Sequence, residues 1–301
     1  MRKVVLLLGV VVATLGLSAC DSGTKATIDT SVASLGAQSD LQVHFTASVS
    51  GSGTAEAQKV LGALSMDTRY ATTSGGPLSQ AKGEVNSEVI VNVGSAPLLD
   101  LRSIGSNFYV QIDLSGANQI PGLPLTSQQQ SELAALQLFL GGKWFEIPSK
   151  LLSSQLPPSA ATKAKAAQDQ AIAQKLFDAL TTLIDNGNAK SLSSGGYSES
   201  GTLQSVVNAL LPTIEGLDPS AATSVGAVPG TYTLTLTNSG SVATGGSISI
   251  TAPEGSGSSS DATVTLQAAV THNSDSIDVP TGVTDITPAL IQQLEGSVTS
   301  A

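Results

Sequence analysis

The chain has 301 residues, with 13 basic and 23 acidic side chains, two histidines and a formal net charge of −10. This length fits one large domain or two small ones. Nucleic acid is not an expected partner, because phosphate binding needs a basic surface and no lysine–arginine cluster is present. An acidic surface is also repelled by an anionic leaflet, so charge alone would not hold the protein at a membrane.

The N-terminal residues have the pattern of a secretory leader. Arg2 and Lys3 precede an uncharged apolar run over residues 4–17. A membrane-spanning helix needs about 20 such residues, whereas the apolar core of a signal peptide is this short. The run ends in Leu17-Ser18-Ala19-Cys20, which is typical of a bacterial lipobox. We therefore predict a lipoprotein signal peptide over residues 1–19.

Cys20 is predicted to carry the lipid, as the first residue of the mature chain. Two acyl chains on one cysteine, of the palmitate type, make a stable anchor. Since Cys20 is the only cysteine, no thiol would remain for a disulfide or a redox site. Residues 20–26 then form a lipidated tether, and the protein is expected on the extracytoplasmic face of the cell membrane. The alternatives are an uncleaved membrane anchor or a cysteine that occurs at this position by chance.

The first half of the mature chain is predicted to be mainly strands. After a short helix over 27–36, residues 41–50 alternate strictly between apolar and polar side chains, which indicates a strand with one face in water. Residues 54–64 favour a short helix and 65–74 a strand. Further alternation over 84–93 and 108–114, with an extended segment at 98–102 between them, predicts a three-strand meander.

Helices are predicted in the middle of the chain and strands at its end. Residues 127–140 and 203–214 have amphipathic spacing, and 159–186 has the strongest apolar stripe. Strands are expected around Tyr232–Leu236, Ile248–Ile250, Val264–Val270 and Ile277–Val279, with a turn at Gly245-Gly246 and a flexible tip over 254–261. A terminal helix is predicted to begin after Thr287. Strands, then helices, then strands favour α+β rather than a nucleotide-binding fold.

Catalytic and metal motifs were not found in the sequence. His44 and His272 are the two histidines, and no HExxH, GxSxG, CxxC or P-loop pattern occurs. Residues 185–188 resemble part of a calcium loop, but a helix C-cap explains them better. We expect neither a metal, nor a cofactor, nor an enzyme, and an extracellular hydrolase ranks last among the alternatives.

The chain resembles the LppX/LprG-type lipoproteins of actinobacteria, which share the fold of the LolA lipoprotein carriers. The matching features are the lipobox at Cys20, the helix at 27–36, the strand over 41–49, the hairpin over 105–110 and the segment 142–145. The resemblance covers residues 27–150. It implies a curved antiparallel β-sheet, a half-barrel wrapped over amphipathic helices, which binds acyl chains between sheet and helices. On this basis residues 27–301 are predicted to form a single lipid-binding-like α+β domain.

The leading functional hypothesis is therefore binding or transfer of a lipid or glycolipid, a cell-envelope role in lipid transport. An acyl-chain cavity needs apolar walls and few polar groups. The predicted walls are the inward strand residues and one helical stripe: Val43, Phe45, Val91, Phe108, Val110, Leu234, Ile172, Leu176 and Leu180. The alternative is a non-catalytic structural or interaction lipoprotein with a filled core, which would act with another envelope protein.

Overall fold

The structure, a computed structural model, describes residues 30, 33–81, 85–121, 125–147, 190–192, 196–208, 227–253, 261–273 and 275–286. Within these ranges the protein is a mixed α+β structure in which strands predominate and helices are few. The predicted α+β class and its antiparallel meander are confirmed at this level.

The described residues contain twelve strands. In chain order they are β1 (Asp40–Ser50), β2 (Leu64–Thr72), β3 (Val85–Val93), β4 (Ala96–Ile104), β5 (Asn107–Ile112), β6 (Trp144–Ile147), β7 (Lys190–Ser191), β8 (Tyr197–Thr202), β9 (Thr231–Ser239), β10 (Val242–Pro253), β11 (Asp261–Thr271) and β12 (Thr284–Asp285).

The chain divides into two compact units. The first consists of Met1–Gln38, Ser48–Ala55 and Pro158–Val270, and the second of Ser39–Ala47, Glu56–Pro157 and Thr271–Ala301. In the second unit the strand order is β12-β6-β5-β4-β3-β2-β1, with only the β12–β6 pair parallel among its described strands. In the first unit the order is β11-β10-β9-β8-β7, and each of these pairs is antiparallel.

Strand β1 follows the predicted alternation. Leu41, Val43, Phe45 and Val49 are buried, whereas His44, Ser48 and Ser50 are exposed. A β-strand directs successive side chains to opposite faces, so the apolar set defines one face of the sheet. The prediction that β1 has one buried face is therefore confirmed.

Two α-helices lie entirely within the described residues, α1 (Ala55–Ala63) and α2 (Ser127–Leu140). Helix α2 begins with a capping box, in which Thr126 and Gln129 satisfy each other's backbone N–H groups. Leu133, Leu136 and Leu140 are half-buried, as the predicted stripe requires. Between β5 and α2, Leu114–Gln119 forms a 3₁₀ helix.

The turn predicted at Gly245-Gly246 is wrong. These glycines lie inside β10, and the chain turns at Gly240 and Ser241 instead. A Cβ atom on Gly246 would come within 2.6 Å of the carbonyl oxygen of Thr235 on β9. Glycine is therefore needed here for close approach of neighbouring strands, a packing role that the sequence pattern does not distinguish from a turn.

Several predictions lie outside the described residues. They are the leader over 1–19, Cys20 and its tether, the 159–186 helix with Ile172, Leu176 and Leu180, most of the tip over 254–261, and the terminal helix. Residues 33–36 and 203–208 are helical, in agreement with the helices predicted there. Across the described part of the chain, no helix has the length and apolar character to cross a membrane.

Candidate functional site

One face of the second unit's sheet is crossed by an extended segment, residues 275–286, which we call the strap. Arg69 Nη2 donates to the carbonyl oxygen of Asp275 (2.8 Å), and Arg102 Nη1 donates to that of Asp278 (3.2 Å). Between them, Asn86 Nδ2 donates to the carbonyl oxygen of Ile277 (3.3 Å). These donors belong to β2, β4 and β3, so the strap runs across three neighbouring strands.

Both ends of this crossing are also held. Before the strap, the backbone N–H of Asn273 donates to Asp40 (3.0 Å) and its side chain donates to Gln42 (2.9 Å). At the far end, β12 pairs with β6, and the N–H of Ile286 donates to the carbonyl oxygen of Glu146 (3.0 Å). The strand predicted over Ile277–Val279 is wrong, since the structure has this stretch crossing the sheet instead of pairing as a strand.

An ionic cluster lies on the same face, in which buried Glu88 and Asp100 pair with half-buried Arg69 and Arg102. Glu88 Oε2 accepts a hydrogen bond from Arg69 Nη1 at 2.7 Å, and Glu88 Oε1 forms an ion pair with Arg102, whose Nε lies 2.7 Å away. Arg102 Nη2 also reaches Asp100 Oδ2 at 3.2 Å. The Arg102 guanidinium stacks 4.6 Å from the centre of the Trp144 ring. With two arginines and two carboxylates, the cluster is nearly charge-balanced, which is what burial of charge requires.

The burial of this face contradicts the alternation argument for β3 and β5. Glu88 and Tyr109 occupy the polar positions of the alternation in 84–93 and 108–114, where exposure to water is expected, yet they are only 2% and 4% exposed. The strand register aligns Arg69, Glu88, Arg102 and Tyr109 in one row, and the strap is held over that row by Arg69 and Arg102. The pattern predicted the strands correctly but not the segment, distant in sequence, that covers their polar face.

Asp100 is the member of the cluster whose charge is least compensated. Burial raises the pKa of its carboxyl group from 3.8 to about 6, against the opposing pull of Arg102. Its Oδ1 atom is buried and has no hydrogen-bond partner. A carboxylate in this position pays a desolvation cost that the neighbouring arginine only partly offsets.

The two histidines each face a carboxylate. His44 Nδ1 lies 2.8 Å from Asp67 Oδ1, and Asn92 Nδ2 donates to the other oxygen of Asp67 at 2.9 Å. His272 Nδ1 lies 3.7 Å from Asp40. Neither histidine meets further ligands: among the described residues, no group of three or more histidine, cysteine or acidic side chains could hold a metal ion.

Five of the predicted wall residues share one face of the second unit's sheet. Residues directly opposite one another in paired strands point to the same side. One such row contains Val43, Val89, Leu101, Val110 and Phe145, and the rows beside it contain Phe45 with Val91, and Leu41 with Phe108. Val43 and Phe45 are buried, whereas Val91, Phe108 and Val110 are half-buried.

The sixth predicted strand residue, Leu234, lies in the first unit. Its face also carries Ile248, Ile250, Val264 and Leu266 on β10 and β11. Val264 is 46% exposed, and Ile250 and Leu266 are nearly as open. Three large apolar side chains on two adjacent strands are therefore in contact with water. Scattered apolar residues on a surface are ordinary, but a contiguous group points to a binding surface.

One polar pair interrupts this apolar face. Tyr232 and Glu199 are both buried, and the Tyr232 hydroxyl donates to Glu199 Oε1 at 2.8 Å. Burial, reinforced by Glu199, raises the pKa of Tyr232 to about 12, so the hydroxyl stays protonated. The sequence pattern did not single out Glu199. The one signal for Glu199 in the sequence is its position: it is an acidic residue at an inward-facing position of β8, a short strand that ends in glycine and threonine.

The opposite face of the first unit's sheet is almost entirely made of hydroxyl side chains. Its rows contain Ser200, Thr233, Ser249 and Thr265, and Thr202, Thr231, Thr251 and Thr263. Two cross-strand pairs are hydrogen bonded, Ser249–Thr265 at 2.9 Å and Thr251–Thr263 at 2.8 Å. None of these eight residues is buried.

Comparison with known proteins does not identify a family for this chain. No protein-family model matches it. No curated protein matches it at a significant level.

Proposed function

We propose that the protein is a membrane-anchored, extracytoplasmic lipoprotein that binds the acyl chains of a lipid or glycolipid. The observation that carries the proposal is a group of exposed apolar side chains on β10 and β11, Ile250, Val264 and Leu266, which together we call the apolar row. Acyl chains bind to contiguous apolar surface with few polar groups, and the Tyr232–Glu199 pair is such a group on this face. The lipobox supports the location independently.

We also propose that the sheet is a half-barrel that wraps over amphipathic helices. Ile172, Leu176 and Leu180 are proposed as the apolar stripe of one such helix, which faces the acyl chains. In the second unit, Val91, Phe108 and Val110 would line the ligand because their side chains are only half-buried. No catalytic step and no cofactor is proposed.

Anchoring is tested with Cys20→Ser. This change removes the thiol to which lipid is attached, so the protein should accumulate as an unprocessed precursor or leave the membrane. Detergent partitioning and intact mass measure both outcomes. A mature-sized Cys20→Ser protein that still fractionates with membranes would refute the lipobox assignment.

Ligand binding is tested on adjacent residues of β11 that face opposite sides. Leu266→Glu introduces a charge on the apolar row, and Gln267→Glu introduces the same charge on the hydroxyl face. Both positions are exposed, so both variants should fold. We expect Leu266→Glu to lose at least tenfold in binding of a fluorescent fatty-acyl probe, with Gln267→Glu unchanged. Equal binding by both variants would refute the apolar row as the binding surface.

The second candidate function is a non-catalytic interaction lipoprotein with a filled core. The observation that favours it is the tight burial of the second unit, where Val43 and Val93 are essentially inaccessible. Val91→Trp separates the two candidates. Filling a ligand space should reduce lipid binding with little change in stability, whereas overpacking a filled core costs about 1–3 kcal/mol. Loss of thermal stability without loss of lipid binding would favour the interaction protein.

A further inference from the structure

The polar pair of the first unit lies beside the apolar row. One row of side chains on this face runs from β8 to β11 and consists of Glu199, Leu234, Ile248 and Leu266. Tyr232 lies directly opposite Ile250, a member of the apolar row. Adjacent strands are about 4.8 Å apart, so a ligand that covers Ile250 lies one strand from Tyr232 and two strands from Glu199.

This pair presents hydrogen-bond acceptors to a ligand. The Tyr232 hydroxyl already donates its proton to Glu199 Oε1 at 2.8 Å, and its pKa, raised to about 12 by burial, keeps that proton in place. The ring lies close to Gly201, where a Cβ atom would come within 2.7 Å of Cε1 of Tyr232. An ionised carboxylate only accepts, and a phenol oxygen whose proton is in use can also only accept. A ligand group that bonds to the pair is therefore a donor.

The charges of this sheet disfavour an anionic ligand. Residues 191–270, which include β8 to β11, contain no lysine, arginine or histidine. Lys190 on β7 pairs with Ser198 and therefore points to the hydroxyl face, away from the apolar row. Glu199 is 4% exposed, and a buried charge is screened little by salt. A carboxylate or phosphate beside the pair would meet a like charge without a counter-charge from these strands.

We propose that the lipid bound at the apolar row has no negative charge, and that its polar end is a hydroxyl group of glycerol or of a sugar that donates to Tyr232 or Glu199. The inference rests on the proposed lipid-binding function and narrows it to acylglycerols and uncharged glycolipids. Free fatty acids and anionic phospholipids are disfavoured. Glu199 is in this arrangement the residue that determines headgroup specificity, whereas the apolar row binds the acyl chain.

The experiment uses the full chain carrying Cys20→Ser and one pyrene-labelled acyl chain in four forms. These are the free carboxylate, the methyl ester, the monoglyceride and the glucose ester. The carboxylate has the negative charge, the methyl ester has neither a charge nor a donor, and the last two carry hydroxyl groups from the two sources. Fluorescence titration at pH 7.5 measures the Kd of each form, and binding that is lost in Leu266→Glu is assigned to the apolar row.

We expect the monoglyceride or the glucose ester to bind about tenfold more tightly than the carboxylate, because a charge two strands away is only partly screened. The methyl ester should bind with intermediate affinity, since it avoids the repulsion but cannot donate. The tighter of the two hydroxyl-bearing forms identifies the source of the hydroxyl group.

Glu199→Gln removes the buried charge with little change in shape. Carboxylate binding should rise about tenfold in this variant, whereas monoglyceride binding should change little. Asp261→Asn is the matched control, because it removes the same charge from an exposed position of β11 that shares the hydroxyl face with Thr263. Its Kd values should equal those of the unmodified residue. If Glu199→Gln does not fold, the comparison of the four forms on the unmodified residue decides.

The outcomes separate this inference from the proposed function. Equal binding of the carboxylate and the hydroxyl-bearing forms to the apolar row would leave lipid binding in place and overturn the inference. Unchanged selectivity in a folded Glu199→Gln protein would also overturn it, as would a methyl ester that binds as tightly as the monoglyceride and the glucose ester. If no form binds, or if Leu266→Glu reduces the binding of none, both the inference and the proposed function are wrong.

Discussion

Replacing Asp100 with asparagine should stabilise the protein at neutral pH. The folded state holds the pKa of Asp100 near 6, above its ordinary value of 3.8. The folded protein therefore binds this proton more tightly than the unfolded chain does. The contribution of Asp100 to stability is greatest below about pH 4 and is lost as the pH rises through about 6.

The expected gain follows from this difference. Two pH units correspond to about 3 kcal/mol at most, and partial solvent screening reduces the expected gain to about 1–2 kcal/mol. Asparagine keeps an oxygen that can accept from Arg102 and carries no charge to desolvate. Urea unfolding at pH 7.5 and pH 4.0 measures the effect, with the exposed Asp285→Asn as control. Asp100→Asn should be more stable only at pH 7.5. Equal gains at both pH values, or a loss at pH 7.5, would refute the desolvation argument.

Three further substitutions test the packing described above. Glu88→Gln removes the counter-charge that the half-buried side chains of Arg69 and Arg102 share, and it should cost about 3 kcal/mol by chemical unfolding; a cost below 1 kcal/mol would mean that the cluster is solvated. Phe45→Asp on the buried face of β1 should cost several kcal/mol, whereas the exposed Ser48→Asp should leave the melting temperature nearly unchanged; similar melting temperatures would contradict the face assignment. Gly246→Val should lower stability by about 1–3 kcal/mol through its clash with β9, and an unchanged melting curve would show that β10 can shift to accept it.

Local patterns were sufficient to predict most strands of the second unit. The alternation around Val43 and Phe45 arises from the pleat of a single strand, and the Gly105-Ser106 turn fixes the β4–β5 hairpin. Both are determined by neighbours in sequence. The same is true of α2, whose capping box and leucine spacing lie within fifteen residues.

Contacts between distant residues were not predictable in this way. Glu88 is a charged residue at an outward position, and its burial depends on a segment nearly 190 residues later in the chain. The sequence of that segment, with its apolar Ile277 and Val279, favours a strand by composition. It lies across the sheet because donors on β2, β3 and β4 hold its carbonyl groups, and nothing in its own sequence indicates these distant partners.

The candidate site was only partly predictable for a similar reason. Val91, Phe108 and Val110 were placed correctly on a common face because strand register preserves alternation across a meander. Glu199 was not predicted, because the burial of a carboxylate can be inferred only when its hydrogen-bond partner is known. That partner, Tyr232, lies 33 residues away in the sequence. Gly246 was misread, because close approach of strands and a turn both favour glycine.

The shortness of β7 and β12 has a consequence for self-association. β7 and β12 have two residues each, so each presents few unpaired backbone groups to a neighbouring molecule. Both residues of each strand are exposed, and each strand includes a charged residue, Lys190 or Asp285. Long, flat edges are templates for intermolecular pairing, and short, charged edges resist it. We therefore expect edge-to-edge pairing of two copies through β7 or β12 to be disfavoured.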